Sequence, residues 1–287
     1  MKHSPMPRLS AIFTLVFAVL AAFPVAAATT QPAEIPFTFT DGFIRVEAHV
    51  PQSAEPLHLL LDSGAGASVL SLRTAQRLHL PLGKTENVRG VGVDSAARQL
   101  NGVTASANGV VLSGIPLAVD LSAADQLCSQ PIDGLIGVDF FKNRVVQIDY
   151  IRHTLRITSA TPKTSAERLP VKTINGIMCV PVGVNDSTVR WTRLDTGCND
   201  ALHWVVPKSA AHGAHNAVSI GFVTDESDTS LTSVALGKRS LRTVKTALHG
   251  APLFPGEAGL LGNGLLSQFL VTVDWSNHQV LLADAPR

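Results

Sequence analysis

Leu59-Leu60-Leu61-Asp62-Ser63-Gly64-Ala65-Gly66-Ala67-Ser68 drives an apolar, strand-like run into a carboxylate and then turns sharply on glycine. Burying an ionised carboxylate costs several kcal/mol unless it is paired or hydrogen-bonded. Alone, the stretch therefore reads equally as a turn Asp facing solvent or as an Asp that caps the next segment. What decides its meaning is that the chain repeats it. Trp191-Thr192-Arg193-Leu194-Asp195-Thr196-Gly197-Cys198 is a second strand-like run ending in Asp, a hydroxyl residue and Gly.

Each copy is followed by a second matching block. Gly134-Leu135-Ile136-Gly137 runs through Phe140 to Val145-Val146-Gln147-Ile148-Asp149-Tyr150, and Gly259-Leu260-Leu261-Gly262 runs through Leu265 to Leu270-Val271-Thr272-Val273-Asp274-Trp275. The first glycine of the later block lies 72 residues after Asp62 in one copy and 64 after Asp195 in the other. Two ordered motifs recurring at similar separation indicate an internal duplication.

With these four blocks in order, the chain resembles an aspartic protease of the pepsin and retropepsin type, in the compact bacterial retropepsin-like form with two lobes in one polypeptide. The resemblance implies an all-β, two-lobed fold with short helices and the active site between the lobes. Asp62 and Asp195 would be the catalytic pair. Ser63 and Thr196 would hydrogen-bond across the lobes beneath them, and Gly64 and Gly197 would leave space beside the carboxyl groups. Val88-Arg89-Gly90-Val91-Gly92-Val93-Asp94 would be the flap, a hairpin that closes over a bound peptide through Gly90, Val91 and Gly92; read without the family, it is a plain hairpin loop. No flap tyrosine is available, because the chain's one tyrosine is Tyr150. The acidic, glycine-free stretch Val223–Asp228 stands where a second flap would be, so the flap belongs to the first lobe. Arg193 departs from the first copy, which has Leu60 at the same place.

Lys2 and Arg8, the apolar run Ala11–Ala22, and Pro24 before Val25-Ala26-Ala27-Ala28 read as a signal peptide over residues 1–28, cleaved after Ala28. An uncleaved anchor is the other reading of the same run, which is short for a membrane span. Export places the protein in the periplasm or outside the cell. Removal of residues 1–28 leaves 21 basic against 22 acidic side chains, so nothing in the net charge attracts nucleic acid or an anionic membrane. With 45% hydrophobic residues the remainder can build sizeable cores. The expected division is a first lobe at 29–158, a polar linker at 159–168 and a second lobe at 169–287. Cys128, Cys179 and Cys198 lack metal-ligand spacing; they allow one disulfide, and burial as small apolar residues is the expectation for at least two. His212 and His215 flank Gly213 with no third ligand in view and read as a surface loop rather than a metal pair.

Local patterns agree with β structure. From Phe43 to Val50, Ile44, Val46, Ala48 and Val50 alternate with Arg45, Glu47 and His49, a half-buried strand. Pro51–Pro56 turns the chain into Leu57–Leu61, and the two segments form a hairpin. Ser71 to Leu78 has helical spacing behind a Ser N-cap. Val103–Leu121 reads as further short strands around Asn108-Gly109 and Gly114.

Two carboxylates brought together cannot both ionise cheaply, so one proton is shared. One carboxylate then serves as base toward a bound water and the other as acid toward the peptide carbonyl oxygen, and neither metal, cofactor nor covalent intermediate is required. The implied partner is a peptide or protein substrate, and one chain carrying both Asp loops would work as a monomer. Ser63 as an esterase-type nucleophile fails on context, since that arrangement wants Gly before the Asp where this chain has Leu61. The alternative from another class is a catalytically inactive, secreted, two-lobed peptide-binding protein, for which Arg193 and the glycine-free second flap are the best support.

Overall fold

Four apolar residues out of five make Leu57–Leu61 a strand that needs cover on both faces, and the fold supplies it. The computed structural model describes residues 32–89, 94–207 and 229–285, and Pro32–Arg287 forms one compact unit. Leu59 and Leu61 enter the main core, whereas Leu60 points to a smaller cluster with Phe43, Val69, Ile132 and Leu135 on the opposite face. Each such leucine gains about 1.5–3 kcal/mol from leaving water. The strand pairs antiparallel with Phe43–Ala48, with Arg45 opposite Leu60. Because both faces are covered, Arg45 is buried rather than outward as alternation predicts, and its guanidinium donates to the carbonyls of Gln130 and Pro131.

The duplication is written into the sheets. Gly134–Ile136 lies parallel to Leu57–Leu61 and antiparallel to Val69–Ser71, which in turn runs parallel to Leu117–Val119. In the second half Gly259–Gly262 lies parallel to Arg190–Asp195 and antiparallel to Leu202–Val205, which runs parallel to Arg239–His249. The same crossing strand is thus threaded beside each Asp strand. These segments belong to an eight-stranded sheet in the first half and a seven-stranded sheet in the second.

A six-stranded sheet joins the halves and shows their pseudo-twofold relation directly. Its central pair is Val145–Asp149 against Phe269–Asp274, antiparallel, with Gln147 opposite Thr272. Thr154–Thr158 and Gln279–Asp284 flank that pair, and Ala33–Pro36 and Glu167–Pro170 close the two edges. Asp149 and Asp274 end the equivalent central strands; Asp149 accepts the backbone N–H groups of Ile151 and Arg152 in the following turn, and Asp274 accepts that of Asn277. Glu167 and Arg168, inside the stretch read from sequence as linker, are already part of the edge strand.

Helices are short. Leu72–Arg77 starts at Ser71, whose hydroxyl accepts from the Thr74 N–H, as its sequence foretells. Thr104–Ala107, Val110–Gly114 and Leu117–Val119 fill the weakly alternating region. The hairpin expected as a flap has its two arms in place, Thr85–Arg89 paired with Asp94–Gln99; Gly90, Val91 and Gly92 lie outside the described residues, as do Val223–Asp228, His212, His215 and the segment 1–28.

Gly137 passes so close to the first Asp loop that a Cβ there would sit 2.4 Å from the backbone carbon of Ala67. Gly137→Ala is expected to destabilise the protein by about 1–3 kcal/mol, because backbone rather than a flexible side chain must yield. Urea unfolding followed by tryptophan fluorescence measures it, and an unchanged midpoint would contradict the close threading.

Candidate active site

Both Asp strands end by delivering a carboxyl group to one point. Asp62 is fully buried and Asp195 is 1% exposed. The turn after each strand folds its own glycine N–H back onto the carboxylate, Gly64 N–H to Asp62 Oδ1 at 2.9 Å and Gly197 N–H to Asp195 Oδ1 at 3.0 Å. The glycines also explain why no side chain is tolerated. A Cβ on Gly64 would lie 2.5 Å from Asp195 Cγ, and one on Gly197 would lie 2.4 Å from Asp62 Cγ. Each loop therefore packs against the other loop's carboxyl group.

The hydroxyl residues lock the two loops reciprocally. Thr196 Oγ1 accepts from the Ser63 N–H at 2.9 Å and donates to the Leu61 carbonyl at 2.8 Å. Ser63 Oγ accepts from the Thr196 N–H at 3.0 Å and donates to the Leu194 carbonyl at 2.7 Å. Four buried hydrogen bonds thus cross between segments more than 130 residues apart in sequence.

Burial raises both carboxyl pKa values above the usual carboxylate range. Asp62 is pushed up to about 6 by desolvation, against the pull of the Gly64 N–H and the positive charge of Arg193. Asp195 is driven well up by desolvation and then by the neighbouring charge of Asp62. Asp62 Oδ2 is buried and has no hydrogen-bond partner among the described residues. A pair of this kind binds one proton between its members.

A cavity of about 560 Å³ opens beside Asp62. Val69, Leu117, Val119 and Leu135 line it from the first half, and Ile177 and Phe254 from the second. Asn87 and Val88, on the strand Thr85–Arg89, also reach it.

Residues 46–140 match the family described as aspartyl protease. Among solved structures, the crystal structure of an aspartic proteinase from Irpex lacteus aligns with a TM-score of 0.57 over 89% of this chain and 98% of that one, at 13% identity. The chain has the pepsin-like aspartic proteinase fold. Comparison with curated proteins by sequence finds no match. At 13% identity the structural likeness speaks for the fold, and the family match covers the first Asp loop and its crossing strand.

Within this pepsin-like fold, Asp62, Ser63, Gly64, Asp195, Thr196 and Gly197 all come together. Sequence reading did not foresee two neighbours. Asn263 is completely buried and holds the second loop: its amide donates to the carbonyls of Thr196 and Gly42, while Tyr150 Oη donates to Asn263 Oδ1. Its position directly after Gly262, where the first copy has Val138, was the available signal. The other is Glu257, to which no motif points; it matches the charge of Arg193, which the sequence marks only as a departure from the first copy. Cys179 and Cys198 are buried and Cys128 is half-buried, and all three are free thiols. Burial holds the Cys198 thiol well above its usual range, so it stays protonated next to Asp195.

Thr196→Val keeps the shape of the side chain but leaves the buried Ser63 N–H and Leu61 carbonyl unpaired, each at about 1–3 kcal/mol. A marked drop in the denaturation midpoint is expected, larger than that of Thr→Val at the exposed Thr173. Equal effects at the two sites would remove the cross-lobe lock from the account.

Proposed function

We propose that the protein is an aspartic endopeptidase in which Asp62 and Asp195 share one proton and activate a water against a peptide bond. The observation that carries this reading is the mutual packing of two fully buried carboxyl groups, each against the other loop's glycine. Asp62, the more readily ionised, takes the proton of the water; Asp195, held further up, keeps its proton and gives it to the carbonyl oxygen of the scissile bond. The reading extends to export into the periplasm or beyond the cell, to function as a monomer, and to a peptide held across the apolar cavity.

The test incubates residues 29–287 with a diverse peptide mixture across a pH series, with and without pepstatin. Cleavage sensitive to pepstatin supports the proposal. Saturable peptide binding without cleavage would instead make the protein an inactive two-lobed binder. Asp62→Asn and Asp195→Asn are each expected to lower turnover by at least about a hundredfold, because either change removes half of a single acid–base unit. Turnover near wild type in either variant, with unchanged circular dichroism, would sink the dyad.

The same groups fix the pH dependence. Catalysis needs Asp62 ionised, so activity falls as pH drops through about 6, and it falls again on the alkaline side when the shared proton is lost. Stability runs the other way. A carboxyl whose folded pKa is raised from 3.8 to about 6 binds its proton more tightly folded than unfolded, so stability is lost as pH rises through that window. Asp62→Asn, which cannot ionise, is therefore expected to be more stable than wild type at pH 7 and to lose that advantage below pH 4. A thermal-shift series over pH reads the crossover, and a variant less stable than wild type at both ends would contradict it.

A further inference from the structure

The duplicated frame allows each residue near the dyad to be compared with its twin. Two residues before each Asp stand Leu60 and Arg193, and two residues before the first glycine of each crossing strand stand Ile132 and Glu257. In the first half Leu60 and Ile132 lie in one apolar cluster. In the second half the same two places hold an ion pair: Arg193 Nε to Glu257 Oε2 at 2.7 Å and Arg193 Nη2 to Glu257 Oε1 at 2.8 Å, with side chains 6% and 1% exposed. A buried ion pair is a poor device for stability, since apolar replacements of similar volume are often neutral or better. The first half shows that this fold accepts the apolar solution at this point. Something other than packing therefore accounts for the charge.

The remaining contacts of Arg193 say what. Its free nitrogen, Nη1, donates at 2.9 Å to the carbonyl of Gly64, in the Asp loop of the opposite half. Phe254 lies against the guanidinium face, 3.3 Å from ring centre to Cζ, and fixes its plane. Arg193 and Phe254 both line the cavity. We propose that Arg193, clamped by Glu257 and Phe254, is a positioning residue of the dyad: it ties the first Asp loop to the second half and presents one fixed positive charge to both carboxyl groups.

That charge acts to lower the pKa of each carboxyl against the effect of burial. Cys179, opposite Arg193 on the neighbouring strand, is pushed up to about 12 by burial and stays a neutral thiol, with Lys172 nearby. Cys198 beside Asp195 is likewise protonated, and Asp200 lies beyond it, hydrogen-bonded to His203. Glu257 remains as the group that tempers the arginine.

The inference rests on the proposed catalytic reading, and two variants separate them. Arg193→Leu with Glu257→Ile reproduces the twin pair of the first half; it is expected to unfold at an unchanged or higher denaturant midpoint. Its kcat should fall about tenfold or more, with KM changing much less, because the Gly64 tether is lost. The acid limb of its pH profile should move up by about one unit, since a positive charge beside the carboxyls is gone. Glu257→Gln keeps the shape and frees the arginine charge, so its acid limb should move down. A ¹³C NMR titration of the Asp carboxyl carbons reads the same opposite shifts without turnover. If wild type cleaves nothing yet the titrations shift apart as stated, the catalytic reading fails and the positioning role stands. If the double variant keeps wild-type kcat and acid limb, the positioning role is overturned; if it does not fold, Glu257→Gln decides alone, and an unmoved or raised titration there overturns it.

Discussion

Two carboxyl groups withdrawn from water into one hydrogen-bonded net are the constraint on which the rest of the structure depends. Neither could be buried alone, because an isolated ionised carboxylate in a low-dielectric interior is prohibitively costly and neutralises instead. The fold meets this by symmetry. Each loop supplies a glycine N–H to its own carboxylate and a bare glycine surface to its partner's, and each hydroxyl residue donates to a carbonyl of the opposite Asp strand. Remove either half and the other is left with unpaired buried groups.

Everything farther out serves to hold those loops in register. The crossing strands pin each Asp strand from one side, with the Asp62 N–H donating to the Ile136 carbonyl and Asp195 paired with Gly262. The six-stranded sheet then fixes one half against the other through the central pairing of Val145–Asp149 with Phe269–Asp274. Departures from symmetry fall close to the dyad. Arg193 and Glu257 replace Leu60 and Ile132, and Asn263 replaces Val138. All three residues on the second side reach across to the first half or hold a group that does. Identical surroundings would leave the two carboxyls equivalent, and these three substitutions make their surroundings differ.

Much of this was legible in the sequence because it lies in short-range patterns. The apolar run into Asp62, the Ser71 cap and the repeated Gly-apolar-apolar-Gly blocks each have a local cause, and the duplication could be read from their order. What could not be read depends on pairings between distant segments. Arg45 looks outward by alternation and is buried because a loop 85 residues away covers it. Arg193 looks like a flaw in the second motif until Glu257, 64 residues on, is brought beside it. Tyr150 carries no signal of its role in the sequence, because its contact with Asn263 comes from the meeting of the two halves.

The central claim concerns a single proton, and neutron diffraction from crystals exchanged into heavy water near neutral pH observes it directly. One deuteron held between Asp62 and Asp195, with both Ser63 and Thr196 hydroxyl deuterons pointing at the carbonyls across the lobes, is the expected result. Two bare carboxylates, or two fully protonated acids at that pH, would contradict it.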